Sequence, residues 1–218
     1  MNTFIKKYEY NYIKRCLKDL KNSFKGCVDN DIIAASKIYI QDKIFSVFSS
    51  LSEDEKALLD ITNLTKSTEV DEYLVKLEEY VYGMQKITDA QLKKLFKKEK
   101  KLKLPNQEDQ DSKNVYLGWV DESVRKLFIA YKLNDNLVGM SCRISNPDPN
   151  SHICVLCNRI GKESEVAFVS PICKTSNSFD GAYKSIGFDI CLDSSKCNDR
   201  IESLEKLEKI LKEVNDIK

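Results

Sequence analysis

The chain has 218 residues, 42% of them hydrophobic and 32% charged, with a formal net charge of +1. That composition suits a soluble protein with enough apolar side chains to bury a core, in one large domain or two small ones. The chain holds no apolar run long enough to span a bilayer, and its opening residues mix charges with tyrosines. No membrane span is therefore expected, and a cytoplasmic location without a secretory signal is expected.

The first third reads as helices. Phe4, Tyr8, Tyr12, Ile13, Cys16, Leu17, Leu20 and Phe24 follow helical spacing, and Gly26 is a natural stop. Ile32, Ala35, Ile38, Tyr39, Phe45 and Phe48 give a second apolar stripe. Ser52 with Glu55 is a capping-box pattern, and Ala57, Leu58 and Ile61 follow it. Val70, Tyr73, Leu74, Leu77, Tyr80 and Val81 mark a fourth helix. Four such helices joined by short polar turns can bury their stripes together, which predicts a four-helix bundle over residues 1–84.

Thr88 with Gln91 opens a further helix carrying Leu92, Leu95 and Phe96. Its pattern continues through the lysine-rich run to Lys103, with Pro105 as the end. Residues 106–114 are polar and read as an exposed loop. The pattern then changes to short segments rich in β-branched and aromatic residues: Val115–Val120, Lys126–Leu133, Leu137–Ile144, Val166–Val169 and Ile186–Ile190. Asn134-Asp135-Asn136 and Asn146-Pro147-Asp148-Pro149-Asn150 supply turn chemistry between them. Asn198 or Asp199 opens a last helix with Ile201, Leu204, Leu207, Leu211 and Val214 on one face. Residues 85–218 are thus expected to form a mixed α/β domain, giving an α+β protein overall.

Eight cysteines need an explanation, and in a reducing compartment metal binding is a better one than disulfides. Cys154-Val155-Leu156-Cys157 is a CxxC knuckle, in which a tight turn aims both sulfurs at one point. Asn158 tolerates the left-handed backbone that such turns need. Cys191 and Cys197 form a second pair where a strand gives way to a helix, and a helix start favours thiolate. Knuckle, hairpin, then cysteine-bearing helix is the layout of a treble-clef zinc finger. Four thiolates from Cys154, Cys157, Cys191 and Cys197 would close the shell around one zinc ion, leaving no position for water or substrate, so the metal is expected to be structural. His152 and Cys173 are rival ligands, while Cys16, Cys27 and Cys142 read as packing residues.

Signs of catalysis are sparse. There is one histidine, no phosphate-binding glycine loop and no nucleophile elbow. The expectation is a binding protein with no small-molecule substrate. Lys97, Lys98, Lys100 and Lys101, with Lys93, Lys94 and Lys103 around them, form a basic run suited to phosphates or an acidic protein face. A zinc-finger protein touching ribosomal RNA through this run is one reading of the chain.

Several ordered segments resemble the fusidic-acid-resistance proteins of the FusB type, which bind elongation factor G. They are Phe96-Lys97-Lys98 through Lys103-Leu104-Pro105; Leu117-Gly118-Trp119 with Arg125-Lys126 and a strand ending at Tyr131; Ile153 to Asn158; and Cys191 to Asn198. The resemblance implies an N-terminal four-helix bundle and a C-terminal domain with a treble-clef finger that grips elongation factor G. It implies that the protein binds the factor stalled on the ribosome and speeds its release without chemistry; a monomer is expected. The family carries an aromatic where this chain has Ile153, a basic-Gly-Asp-aromatic run where it has Ile186 to Asp189, and an aromatic at Ile210. By the same resemblance Ile153, Lys184, Phe188 and Ile210 are the expected partner contacts.

Overall fold

The structure, a computed structural model, describes residues 2–27, 29–106, 113–173 and 185–217, and the chain divides into two units, 1–82 and 83–218. In the first unit a two-residue strand, β1 (Ile5–Lys6), leads into α1 (Lys7–Gly26). Glu9, in the first turn of α1, accepts the Lys6 N–H at 2.8 Å, supplying an acceptor where the helix start has none of its own. Ile13, Cys16, Leu17 and Leu20 form the buried face of α1, as their spacing predicts. Asp29 caps α2 (Asn30–Ser46) by accepting the Asp31 N–H at 2.9 Å.

On α2 the predicted stripe holds only at its C-terminal end, where Phe45 and Phe48 pack against the core. Ile32, Ile38 and Tyr39 are 55, 62 and 61% exposed, while Ile40, Gln41 and Ile44 are buried. The helix carries apolar residues on more than one side, so periodicity alone does not select a face. A polar residue settles it. Gln41 accepts the Ile61 N–H at 2.8 Å and donates to the Leu59 carbonyl at 3.1 Å, tying α2 to the loop beyond the next helix.

That next helix is α3 (Glu53–Leu58), opened by the expected Ser52–Glu55 capping box: the Ser52 N–H donates to Glu55 at 2.8 Å and the Glu55 N–H to Ser52 Oγ at 3.3 Å. α4 (Ser67–Glu78) buries Val70 and Leu77 and stops short of Val81, which lies in β2 (Val81–Tyr82), paired in parallel with β1. The four helices close around Ile13, Leu17, Leu20, Ile44, Leu59, Ile61 and Leu77.

In the second unit Thr88 and Gln91 cap α5 (Asp89–Leu95). The helix ends there and does not continue to Lys103. Phe96 turns inward and meets the Trp119 and Phe128 rings edge-on at 5.6 and 5.2 Å. The chain beyond is held by other partners, Glu99 by Lys126 at 2.7 Å and the Lys103 carbonyl by the Trp119 indole at 2.9 Å. Lysines three and four apart would also repel along a helix.

Strands β3 (Leu117–Asp121), β4 (Lys126–Leu133) and β5 (Asn136–Ile144) form a meander. Leu133 pairs with Asn136 across a two-residue turn whose Asn134 and Asp135 have φ of 46 and 62°. Both lie in the left-handed region that such hairpin turns require and that Asn and Asp tolerate. A short hairpin follows, β6 (Ser151–Ile153) with β7 (Ile160–Lys162), then β8 (Val166–Pro171) and β9 (Phe188–Cys191). β8 and β9 extend the meander into one antiparallel five-stranded sheet, ordered β3-β4-β5-β8-β9. Two helices end the unit, α6 (Ser194–Asn198) and α7 (Glu205–Asn215), the latter burying Leu207, Leu211 and Val214. The single final helix expected from Asn198 or Asp199 is thus two helices, with Asn198 the last residue of the first.

Candidate metal centre

The knuckle Cys154–Cys157 is the turn between β6 and β7. The Asn158 N–H donates to the Cys154 carbonyl at 2.9 Å and the Cys154 N–H to the Arg159 carbonyl at 2.9 Å. Asn158 takes the expected left-handed backbone, with φ of 57°. The knuckle is pinned onto β9 by the Val155 N–H, which donates to the Asp189 carbonyl at 2.8 Å. Cys191 ends β9. Asp193 then caps α6, accepting the Lys196 N–H at 3.1 Å. Cys197 sits one turn inside this short helix, its own N–H bonded to the Asp193 carbonyl, and not at the helix start that the sequence suggested.

The four sulfurs converge. Cys154 and Cys197 are 3.9 Å apart, Cys157 and Cys191 3.6 Å, and all four lie within 4.8 Å of one another. Zinc–sulfur bonds of about 2.3 Å arranged as a tetrahedron put neighbouring sulfurs about 3.8 Å apart, so the spacing fits a tetrahedral thiolate-bound ion. Cys154, Cys191 and Cys197 are buried and Cys157 is half-buried. Crowding four thiols makes their protons unequal. Cys157 is held far below the usual thiol range, chiefly by the Cys154 hydrogen bond and then by Cys191. Cys197 is pushed far up, chiefly by Cys154 and then by Cys157. A divalent cation removes this competition by accepting all four sulfurs as thiolates.

Neighbours that the sequence did not single out complete the setting. Arg200 reaches Cys191 Sγ at 3.8 Å and offsets thiolate charge. Ser194 Oγ donates to the Gly118 carbonyl at 2.6 Å. Asn198, 1% exposed, accepts the N–H groups of Val115 and Tyr116 at 2.7 and 3.1 Å and donates to the carbonyls of Tyr116 and Ser194 at 3.0 and 2.8 Å. These bonds fasten the cysteine-bearing helix to the chain entering β3. Burial, and then the Cys197 sulfur, push the Tyr116 phenol well above its ordinary range, so it stays a neutral O–H beside the cluster.

The remaining candidates divide. His152 faces carboxylates instead of joining the sulfurs, and Cys173 is half-buried near Pro171. Cys142 is a packing residue whose thiol burial raises to about 12. Among the partner-contact candidates Ile153 is 55% exposed, beside its cross-strand neighbour Ile160 at 64%, whereas Phe188 and Ile210 are each 9% exposed. Lys184 lies outside the described residues. Lys97, Lys98, Lys100 and Lys101 are all exposed, and Lys97 and Lys98 rim a cleft of about 680 Å³ that also takes in Lys94, Met140 and Ser141.

Residues 4–85 match the family model for the N-terminal part of elongation factor G-binding proteins, and residues 90–216 match the model for the FBP C-terminal treble-clef zinc finger. Among solved structures, that of the fusidic acid resistance protein FusC is similar to this chain at 27% identity, covering 98% of each chain with a TM-score of 0.78. No curated protein matches in a sequence search.

Proposed function

This chain belongs to the family of elongation factor G-binding proteins, and we propose that it acts as one: it binds elongation factor G and promotes release of the factor from ribosomes, including those stalled by fusidic acid. The observation that carries this reading is coverage. The likeness to FusC runs through 98% of both chains, so both units and their order are shared, not the finger alone. A binding protein of this kind works without chemistry. It shifts the factor towards a ribosome-releasing conformation only to the extent that it binds that conformation more tightly.

In this reading the four cysteines hold one zinc ion with a structural role, because four sulfurs within 4.8 Å close the coordination shell. The finger then presents a rigid face. Ile153, exposed beside the first ligand, is the direct apolar contact, and Phe188 and Ile210, each 9% exposed, support it.

Calorimetry of the full chain with purified elongation factor G tests the proposal. Ile153→Asp is expected to weaken binding at least tenfold, and the wild type to reduce co-sedimentation of the factor with fusidic-acid-stalled ribosomes. Absence of wild-type binding overturns it. The exposed lysines beside the cleft favour a second reading, contact with ribosomal RNA. That reading predicts RNA binding that falls steeply with salt and weakens in a Lys97→Ala/Lys98→Ala variant.

A further inference from the structure

The only histidine of the chain stands among carboxylates, in a group separate from the four sulfurs. His152 lies on β6, with its side chain nine-tenths buried. Asp148 comes from the Asn-Pro-Asp-Pro-Asn turn before β6, Glu163 follows β7, and Asp189 lies on β9. Nε2 of His152 is 3.0 Å from Glu163 Oε2 and 3.3 Å from Asp148 Oδ1, while Nδ1 is 2.9 Å from Asp189 Oδ1.

Nε2 carries at most one hydrogen, which cannot serve both carboxylates fully, and among the described residues Glu163 Oε2 is a buried oxygen with no hydrogen-bond donor. Among the described residues no lysine or arginine pairs with Asp148 or Glu163, and the nearby Arg125 guanidinium donates to the Ser145 carbonyl at 2.6 Å. Three carboxylates gathered around one imidazole concentrate negative charge in a partly buried place, which is costly without a cation.

We propose that Asp148, His152 and Glu163 form a second divalent-cation site, distinct from the four-cysteine centre, with Asp189 holding the histidine through Nδ1–H. The ligand atoms already stand at coordination spacing. Metal–nitrogen and metal–oxygen bonds of about 2.0–2.2 Å put neighbouring ligands about 2.8–3.6 Å apart across octahedral and tetrahedral geometry, and the two separations are 3.0 and 3.3 Å. A divalent ion balances the charge of the two ligating carboxylates, Asp148 and Glu163, and leaves Asp189 to hold the ring. The carboxylate–histidine–metal relay through Asp189 fixes the tautomer that leaves Nε2 free to ligate. An imidazole with two carboxylates selects a borderline ion such as Zn²⁺ or Co²⁺ over Mg²⁺ or Ca²⁺. Asp148 and Glu163 also line a cleft of about 610 Å³, so a three-ligand ion faces solvent with room for water.

Tag-free full-length protein, already holding its first equivalent of zinc, is titrated with Co²⁺ and with Zn²⁺ and followed by metal analysis and calorimetry. Wild type is expected to take a second equivalent. In the cobalt form that equivalent shows only weak visible bands, without the thiolate charge-transfer absorption a sulfur site gives. Asp148→Asn/Glu163→Gln is expected to lose the second equivalent, with affinity down at least 100-fold, while retaining the first and the Trp119 emission of the wild type. If excess metal leaves wild type at one equivalent, or the double variant still takes the second, the site does not exist and His152 is a histidine hydrogen-bonded among acids.

Discussion

Replacing Asn198 by alanine removes one side chain that satisfies four backbone groups at once. Its Oδ1 serves the N–H groups of Val115 and Tyr116, and its Nδ2 serves the carbonyls of Tyr116 and Ser194, all within 3.1 Å at a position 1% exposed. Alanine cannot replace any of these bonds, and its small volume does not admit the chain to new partners. Carbonyls tolerate the loss better than N–H groups do. Two orphaned buried N–H groups at roughly 1–3 kcal/mol each give an expected loss of about 4 kcal/mol. With a urea dependence of about 2 kcal/mol per molar, the unfolding midpoint falls by about 2 M. Trp119, the single tryptophan, lies on β3 against Phe128 at 5.1 Å and reports on the second unit alone. Equilibrium urea unfolding of the zinc-loaded full chain, followed by its fluorescence, makes the measurement. Asn198→Asp keeps the acceptor but turns a carboxylate towards two carbonyls, and is expected to lose as much or more. A midpoint for Asn198→Ala within about 0.5 M of wild type, corresponding to roughly 1 kcal/mol on the same scale, would refute the reasoning.

Two other perturbations follow from the two units. In an Asp148→Asn/Glu163→Gln background, which removes the proposed second site, Cys191→Ser is expected to abolish stoichiometric zinc binding and to unfold the finger, since metal binding supplies about 10–16 kcal/mol in such sites; metal analysis showing a full equivalent retained there would contradict the ligand set. In the first unit, burial pushes the Tyr10 phenol from 10.0 up to about 12 and raises Tyr73 as well, with their hydroxyls donating to the Leu74 and Leu58 carbonyls. Their folded-state pKa values lie above the unfolded one, so the stability they confer is present below pH 10 and drains away as pH rises through 12. Helical circular dichroism melts between pH 9 and 12 should show the loss, and Tyr10→Phe/Tyr73→Phe should flatten it.

Much of the architecture was legible in local sequence because local sequence causes it. Ser52–Glu55 and Thr88–Gln91 cap helices through bonds that span three residues, and Asn134–Asp135 make a hairpin turn from their own backbone preferences. The CxxC spacing and Asn158 specify the knuckle in the same way. The cysteines at 191 and 197 were legible because a strand end and a helix are themselves local features, although Cys197 proved to sit inside its helix. The exposed face of α2 was not legible, because apolar residues surround that helix and only Gln41, reaching for Leu59 and Ile61, selects the side turned inward. The lysine run read as helix because its charges fit a solvated face, yet Phe96 is drawn to Trp119 and Phe128, and the helix ends to let it go.

The sequence by itself determined most of the helices and sheet strands and which four cysteines could share a metal, since spacing and side-chain chemistry act over a few bonds. Only the tertiary structure decided what surrounds His152. Asp148, Glu163 and Asp189 reach it from a turn, the end of one strand and the middle of another, brought together by the pairing of β6 with β7 and the docking of the knuckle on β9. The physical reason is that strand register and docking are set by burial across the whole sheet, and no short stretch of chain encodes which distant carboxylate will stand 3.0 Å from an imidazole nitrogen.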